Sequence, residues 1–91
     1  MMQTSAAETL ALKALAFLAG EGDSLARFLT LSGLRPQDLR QGVDDPLFLA
    51  AVLDFMRGED KLLFAFAQDE GVDPKLIHAA RRALPGAAPE A

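Results

Sequence analysis

The side chains that could perform acid–base or metal chemistry are few in this 91-residue sequence. There is no cysteine and a single histidine, His78. A zinc site needs several nitrogen or sulfur ligands, and the acids nearest to His78, which are Asp69, Glu70 and Asp73, lie across a predicted turn from it. No nucleophile motif, phosphate-binding glycine loop or dinucleotide-binding pattern occurs. We therefore expect no metal, no cofactor and no catalytic residue, and we predict that the chain is not an enzyme.

The acidic residues in the middle of the chain do not have the spacing of a calcium-binding loop. We interpret Asp45 and Asp60 as helix caps and Asp44, Asp54 and Glu59 as solvated residues of turns. We therefore assign these acidic residues a structural role.

Residues 62–84 resemble a helix-turn-helix, in which a small residue (Ala67) and a turn glycine (Gly71) let two helices cross closely. The polar side chains of its second helix are basic and suit contacts with nucleic-acid phosphates. These candidate nucleic-acid-binding residues are Lys75, His78, Arg81 and Arg82. Against this reading, Glu70 occupies a position that is usually apolar, the net charge is -4, and the two arginines could instead offset the negative end of the helix.

Helical periodicity and helix-end signals place these residues on an all-α chain. Asp45 and Asp73 each precede a proline, a pattern typical of a helix start, and a capping box at Ser5 and Glu8 and an N-cap at Asp23 indicate two further starts. The predicted helices cover 6–19, 24–32, 36–41, 46 to about 57, 59 or 60 to about 70, and 74–84. No stretch alternates with a period of two, so we predict no sheet.

The sequence also resembles itself at an offset of 38 residues. Eight identities fall in one ungapped register, and they include glycines and prolines that end or begin helices. The pairs are Leu15/Leu53, Phe17/Phe55, Gly20/Gly58, Glu21/Glu59, Leu25/Leu63, Phe28/Phe66, Gly33/Gly71 and Pro36/Pro74. We predict a compact six-helix bundle of two pseudo-symmetric three-helix units, with the almost wholly apolar helices 1 and 4 at its centre. Chance matches in an alanine- and leucine-rich chain are the alternative.

These boundaries predict one helical domain over 6–84, made of units 6–42 and 45–84. Residues 1–5 are expected to be a flexible N-terminus and 85–91 a disordered tail. The lack of cysteine favours a reducing cytoplasm, and we read no signal peptide. The longest nearly uncharged stretch, 46–56, is about half the length that crosses a bilayer, so we expect no membrane association.

Four segments together resemble a known family. They are ALKALAFLA (11–19), LARFLTLSGLRPQDLR (25–40), DPLFLAAVLDF (45–55) and DPKLIHAARRAL (73–84). They are similar to a small bacterial family of about 90 residues, all-helical, whose function is unassigned. The resemblance covers roughly residues 7–84 and implies no activity and no site residues.

Two functional hypotheses follow. The first is a non-catalytic protein-interaction or regulatory module that binds a protein partner or associates with itself as a homodimer, which requires an exposed apolar patch on helix 1, 4 or 5. The alternative is a small nucleic-acid-binding protein that uses 62–84, which requires the basic residues of helix 6 on one solvent-exposed face.

Overall fold

The computed structural model describes residues 2–86, which form six α-helices and one 3-10 turn, with no strand. The helices are α1 (Thr4–Ala19), α2 (Ser24–Ser32), α3 (Leu39–Gly42, preceded by the 3-10 turn Pro36–Asp38), α4 (Pro46–Arg57), α5 (Asp60–Glu70) and α6 (Pro74–Ala83). The all-α prediction and the six-helix count are confirmed for these residues. Of the predicted disordered tail 85–91, residues 87–91 lie outside the described residues, as does residue 1.

The starts of α4 and α6 are fixed by side-chain caps that the sequence predicts. The Asp45 carboxylate accepts a hydrogen bond from the backbone N–H of Leu47 at 2.9 Å, and that of Asp73 accepts one from Lys75 at 2.8 Å. A proline follows each aspartate, where its missing N–H costs no hydrogen bond. Each cap satisfies one of the backbone donors left free in the first turn of a helix.

Three predicted caps are different in the structure. α1 begins at Thr4 with Gln3 as its N-cap, so Thr4 and Ser5 belong to the helix and the Ser5–Glu8 capping box is wrong. The Ser5 carbonyl instead accepts the Thr9 hydroxyl at 3.0 Å. Asp23 lies at the N-cap of α2 but its carboxylate makes no capping bond, and Asp60 lies inside the first turn of α5.

The hydrophobic core lies among α1, α4 and α6, and the other helices pack around these three. α4 contributes six buried side chains, including Leu53, which is 0% exposed. α1 contributes five, three of them alanines, and such small side chains let neighbouring helices approach closely. The predicted burial of helices 1 and 4 is therefore confirmed. α6 also enters the core, through Ile77 and Ala80.

Candidate interaction surface

Four large apolar side chains remain exposed on the described surface. They are Leu12 (40% exposed), Leu31 (75%), Leu47 (58%) and Phe64 (57%). Leu31 is the most exposed of the four and lies on α2. At about 100° per residue it lies roughly 110° from the centre of the stripe that Leu25, Phe28 and Leu29 form, so it turns to solvent.

Leu31 borders an apolar groove between α2 and α4, which we call the α2–α4 groove. Its volume is about 310 Å³, and Phe28, Leu31, Ser32, Ala51, Asp54 and Phe55 line it. Phe28 is buried, and its ring centroid lies 5.6 Å from that of Phe55 in an edge-on arrangement. Leu47 lies one helical turn before Ala51 on α4 and continues the apolar stripe. The α2 and α4 surfaces thus carry two of the four exposed apolar residues.

Arg27 fixes α2 against the end of α4. Its guanidinium binds the Glu59 carboxylate through two contacts, Nη2 to Oε1 at 2.6 Å and Nη1 to Oε2 at 3.2 Å. The same group lies over the Phe55 ring at 5.6 Å from its centroid, a favourable cation–π arrangement. Glu59, interpreted from the sequence as a solvated turn residue, is therefore a structural partner of α2.

The second polar feature is a set of hydrogen bonds around Arg81, which we call the Arg81 network. Arg81 is only 6% exposed. Its Nε donates to Asp54 Oδ1 at 2.7 Å, and its terminal nitrogens donate to the carbonyl oxygens of Leu84 at 3.5 Å, Pro85 at 3.2 Å and Gly86 at 3.0 Å. The network therefore ties the segment after α6 to the body of the domain.

Asp54 also joins this network to His78. Arg57 Nη1 lies 3.3 Å from Asp54 Oδ1, and Arg57 Nε donates to Nδ1 of His78 at 2.8 Å. An acceptor at Nδ1 carries no proton, so the geometry assigns the neutral His78 ring its proton on Nε2. Asp54 lies within α4, as the predicted helix bounds place it, but the interpretation of its side chain as a solvated one is wrong, since its Oδ1 bridges two guanidinium groups.

The four candidate nucleic-acid-binding residues do not share one environment. Lys75 and Arg82 are exposed, His78 is half-buried against Arg57, and Arg81 is buried in its network. Arg82 borders a separate surface depression with Met2 and Thr4 at the start of α1. The structure thus brings His78 and Arg81 together at the α4–α6 contact and leaves Lys75 and Arg82 on the solvent side of α6.

Sequence reasoning did not identify Asp54 and Arg57 as partners of α6. The one local signal was their spacing of three residues on a helix, which brings opposite charges together. Among residues 2–86, no three histidine, aspartate or glutamate side chains are grouped so that they could hold a metal ion. Within the same range, none of the helices combines the length and the apolar composition needed to cross a bilayer.

The fold and the surface together define a small all-α protein with an apolar groove between two helices and a buried arginine network beside it. Residues 4–87 match the family described as "Protein of unknown function (DUF3572)", and the chain belongs to that family. This confirms the resemblance to a small family of unassigned function. No curated protein and no solved structure matches the chain.

Proposed function

We propose that this chain acts without catalysis as a protein-interaction or regulatory module, and that the α2–α4 groove is its binding surface. One observation carries the proposal: Leu31, three-quarters exposed, stands beside a groove lined by two aromatic rings. Full burial of a leucine side chain is worth about 1.5–3 kcal/mol, so covering Leu31 would add roughly 1–2 kcal/mol to binding. An exposed apolar surface next to a groove is typical of sites that bind a partner helix.

The groove has the form that helix recognition uses. Phe28 and Phe55 contribute aromatic rings to its lining, while Ser32 and Asp54 contribute polar groups. A partner helix with apolar residues one turn apart would place them in the groove and keep its polar face in water. The module would thus bind through side-chain burial, with polar contacts setting the orientation.

Site-specific photo-crosslinking in the organism that produces the protein tests this proposal. A photoreactive phenylalanine analogue replaces Leu31 in one strain and the equally apolar, exposed Phe64 of α5 in a matched control strain. We expect discrete protein adducts from position 31 that disappear when Ala51 in the groove is replaced by lysine. Identical adducts from both positions, or none from position 31, would contradict the assignment of the groove.

We also propose that the two halves are related by pseudo-two-fold symmetry. At the ends of α2 and α5, the bonds Leu34 N–H to Leu29 O and Val72 N–H to Ala67 O correspond at the offset of 38. The ring pairs Phe17–Phe66 (5.4 Å) and Phe28–Phe55 (5.6 Å) also exchange under that operation. Both observations support a duplication. The third helices differ, since α3 has four residues and α6 has ten.

The cellular location that we propose is the cytoplasm. The support comes from composition. Small secreted domains usually rely on disulfides, and this chain has no cysteine with which to form one.

Nucleic-acid binding through α6 is the second candidate, and the exposure of Lys75 and Arg82 is what favours it. They lie seven residues apart, or about two turns, so both project from the same side of α6. Fluorescence anisotropy with a mixed-sequence DNA duplex tests it at low and moderate salt. Binding that weakens with salt, with a shallower salt dependence in the double variant Lys75→Ala, Arg82→Ala, would support this candidate. No binding at low salt would remove it.

A further inference from the structure

We propose that the segment Leu84–Gly86, which we call the strap, is a releasable element with Arg81 as its clasp. The strap opens while the six helices stay folded, and its opening exposes apolar surface that the closed form covers. This device is independent of the α2–α4 groove, and it would exist whether or not that groove binds a partner.

The strap has almost no main-chain attachment to the helices. α6 ends at Ala83, and Leu84 is extended, with its N–H donating to the Arg81 carbonyl at 3.2 Å. Proline has no N–H, and within residues 2–86 no backbone–backbone hydrogen bond joins Pro85 or Gly86 to a helix. The guanidinium of Arg81 instead donates to all three strap carbonyls, at 3.5, 3.2 and 3.0 Å. A segment held mainly through one side chain can leave without breaking a helix.

The clasp stays anchored on the domain when the strap leaves. Arg81 donates to Asp54 through Nε, at 2.7 Å, and to the strap through its two terminal nitrogens. The bond to Asp54 can therefore persist in the open form, while water replaces the strap carbonyls at the terminal nitrogens. Ile77 and Ala80 are fully buried and continue to hold α6 in the core. Opening of the strap thus requires less free energy than unfolding of the domain.

The closed strap covers apolar groups on both of its sides. Leu84 is only 3% exposed and belongs to the core. The backbone of Gly86 lies against α4, so closely that a Cβ at this position would come within 3.1 Å of Leu47 Cδ2. Opening brings Leu84 into water and uncovers this side of Leu47. The elements that move in regulation come from the least stable parts of a fold, and the strap has that property.

Thiol labelling of single-cysteine variants tests the strap, because the natural sequence contains no cysteine. Leu84→Cys reports on the strap, and Val52→Cys, fully buried in α4, reports on the core. The rate with a water-soluble disulfide reagent is measured from zero urea to just below the unfolding transition and divided by the rate in the unfolded chain. Without urea, position 84 should react about tenfold or more faster than position 52. Its rate should change little with urea, whereas that of position 52 should rise steeply, because the slope scales with the surface exposed.

Two substitutions separate the strap from the domain. Arg81→Met should raise the labelling rate of Leu84→Cys by about fivefold or more, and the matched control Arg82→Met should leave it within about twofold. Leu53→Ala weakens the core away from the strap. It should raise the rate of Val52→Cys by about thirtyfold or more and leave that of Leu84→Cys within about twofold.

Hydrogen exchange in the chain that keeps its leucine repeats the measurement without a shortened side chain. Exchange of the Leu84 amide, followed by NMR over the same urea range, should be nearly independent of urea and faster in Arg81→Met. Equal urea slopes at positions 84 and 52, or equal acceleration of both by Leu53→Ala, would overturn the inference, because the strap would then open only with the whole domain. An unchanged rate at position 84 in Arg81→Met would also overturn it, since Arg81 would not be the clasp.

Discussion

Replacing Arg81 by methionine measures what the Arg81 network contributes to stability. Methionine retains much of the apolar stem and removes the charge and every hydrogen bond of the guanidinium. The lost interactions are the Asp54 contact at 2.7 Å and the carbonyl contacts to Pro85 and Gly86 at 3.2 and 3.0 Å, with a weaker one to Leu84 at 3.5 Å. The substitution therefore isolates the polar part of the network.

The expected loss follows from the exposure of each partner. Hydrogen bonds to a charged group are worth about 1.5–3 kcal/mol each, but Asp54 is half exposed, and water screens that pair toward about 1 kcal/mol or less. Pro85 and Gly86 are exposed, so water can replace the arginine at their carbonyls. Methionine is also uncharged, so the variant no longer pays the cost of removing a guanidinium from water, which offsets part of the loss. We expect a net loss in the free energy of unfolding of roughly 1–2 kcal/mol.

Thermal unfolding followed by circular dichroism is the assay. For a domain of this size about 1 kcal/mol corresponds to about 4–8 °C in Tm, so Arg81→Met should melt roughly 4–16 °C below wild type. Arg82→Met is the matched control, since it removes the same charge from the adjacent, exposed residue and should change stability by about 0.5 kcal/mol or less. If both variants melt within about 2 °C of wild type, Arg81 is not held in this network in solution.

Three further predictions concern single positions. Gly71→Ala should lower the free energy of unfolding by about 1–2 kcal/mol, because the backbone φ at this position is +70°. The control Gly58→Ala, where φ is -82°, should change the free energy of unfolding by less than about 0.5 kcal/mol. Equal urea midpoints for the two variants would contradict the predicted strain at Gly71. Leu53→Ala should lower it by about 2–5 kcal/mol, since this side chain is fully buried in α4, and an unchanged urea midpoint would place Leu53 outside the core. Two hydrogen bonds from Arg35, the larger effect from its backbone N–H and the smaller from its side chain, hold the pKa of Asp38 below its usual 3.8. The ionised Asp38 carboxylate therefore stabilises the folded chain fully above pH 3.8, and this contribution is lost as the pH falls through the lowered pKa. A carboxyl-carbon NMR titration should show a midpoint below 3.8, with Arg35→Ala restoring only part of the shift because the backbone bond remains, whereas a midpoint at or above 3.8 would exclude that bond.

Helix positions were predictable wherever the signal is local. An aspartate followed by proline identifies the starts of α4 and α6, because the cap bonds join residues two apart. Glycine after an apolar run identifies the ends of α2 and α5, where only a residue without Cβ adopts positive φ easily. Ser5 misled the prediction for α1 because a hydroxyl can also bond within a helix, as the bond from Thr9 to the Ser5 carbonyl illustrates.

The surroundings of α6 could not be predicted in the same way. Whether an arginine faces solvent depends on which element lies opposite, and that is a tertiary fact. Arg81 and Arg82 are adjacent and chemically identical, yet one is buried against α4 and the other is exposed. From the sequence alone, both arginines are counted as available for contacts with nucleic-acid phosphates. The pairing of Arg81 with Asp54 joins residues 27 apart, a separation at which no sequence spacing specifies contact.

Asp54 connects the two features of the surface and determines which variants are informative. Its Oδ1 accepts from Arg81 and lies 3.3 Å from Arg57, while the residue also lines the α2–α4 groove. A substitution at Asp54 would therefore weaken the hold on the segment after α6 and alter the groove at the same time, and a lost crosslink from position 31 would have two explanations. Ala51 borders the groove without belonging to the Arg81 network. A substitution at Ala51 consequently tests the groove alone, whereas Arg81→Met tests the network with the groove residues in place.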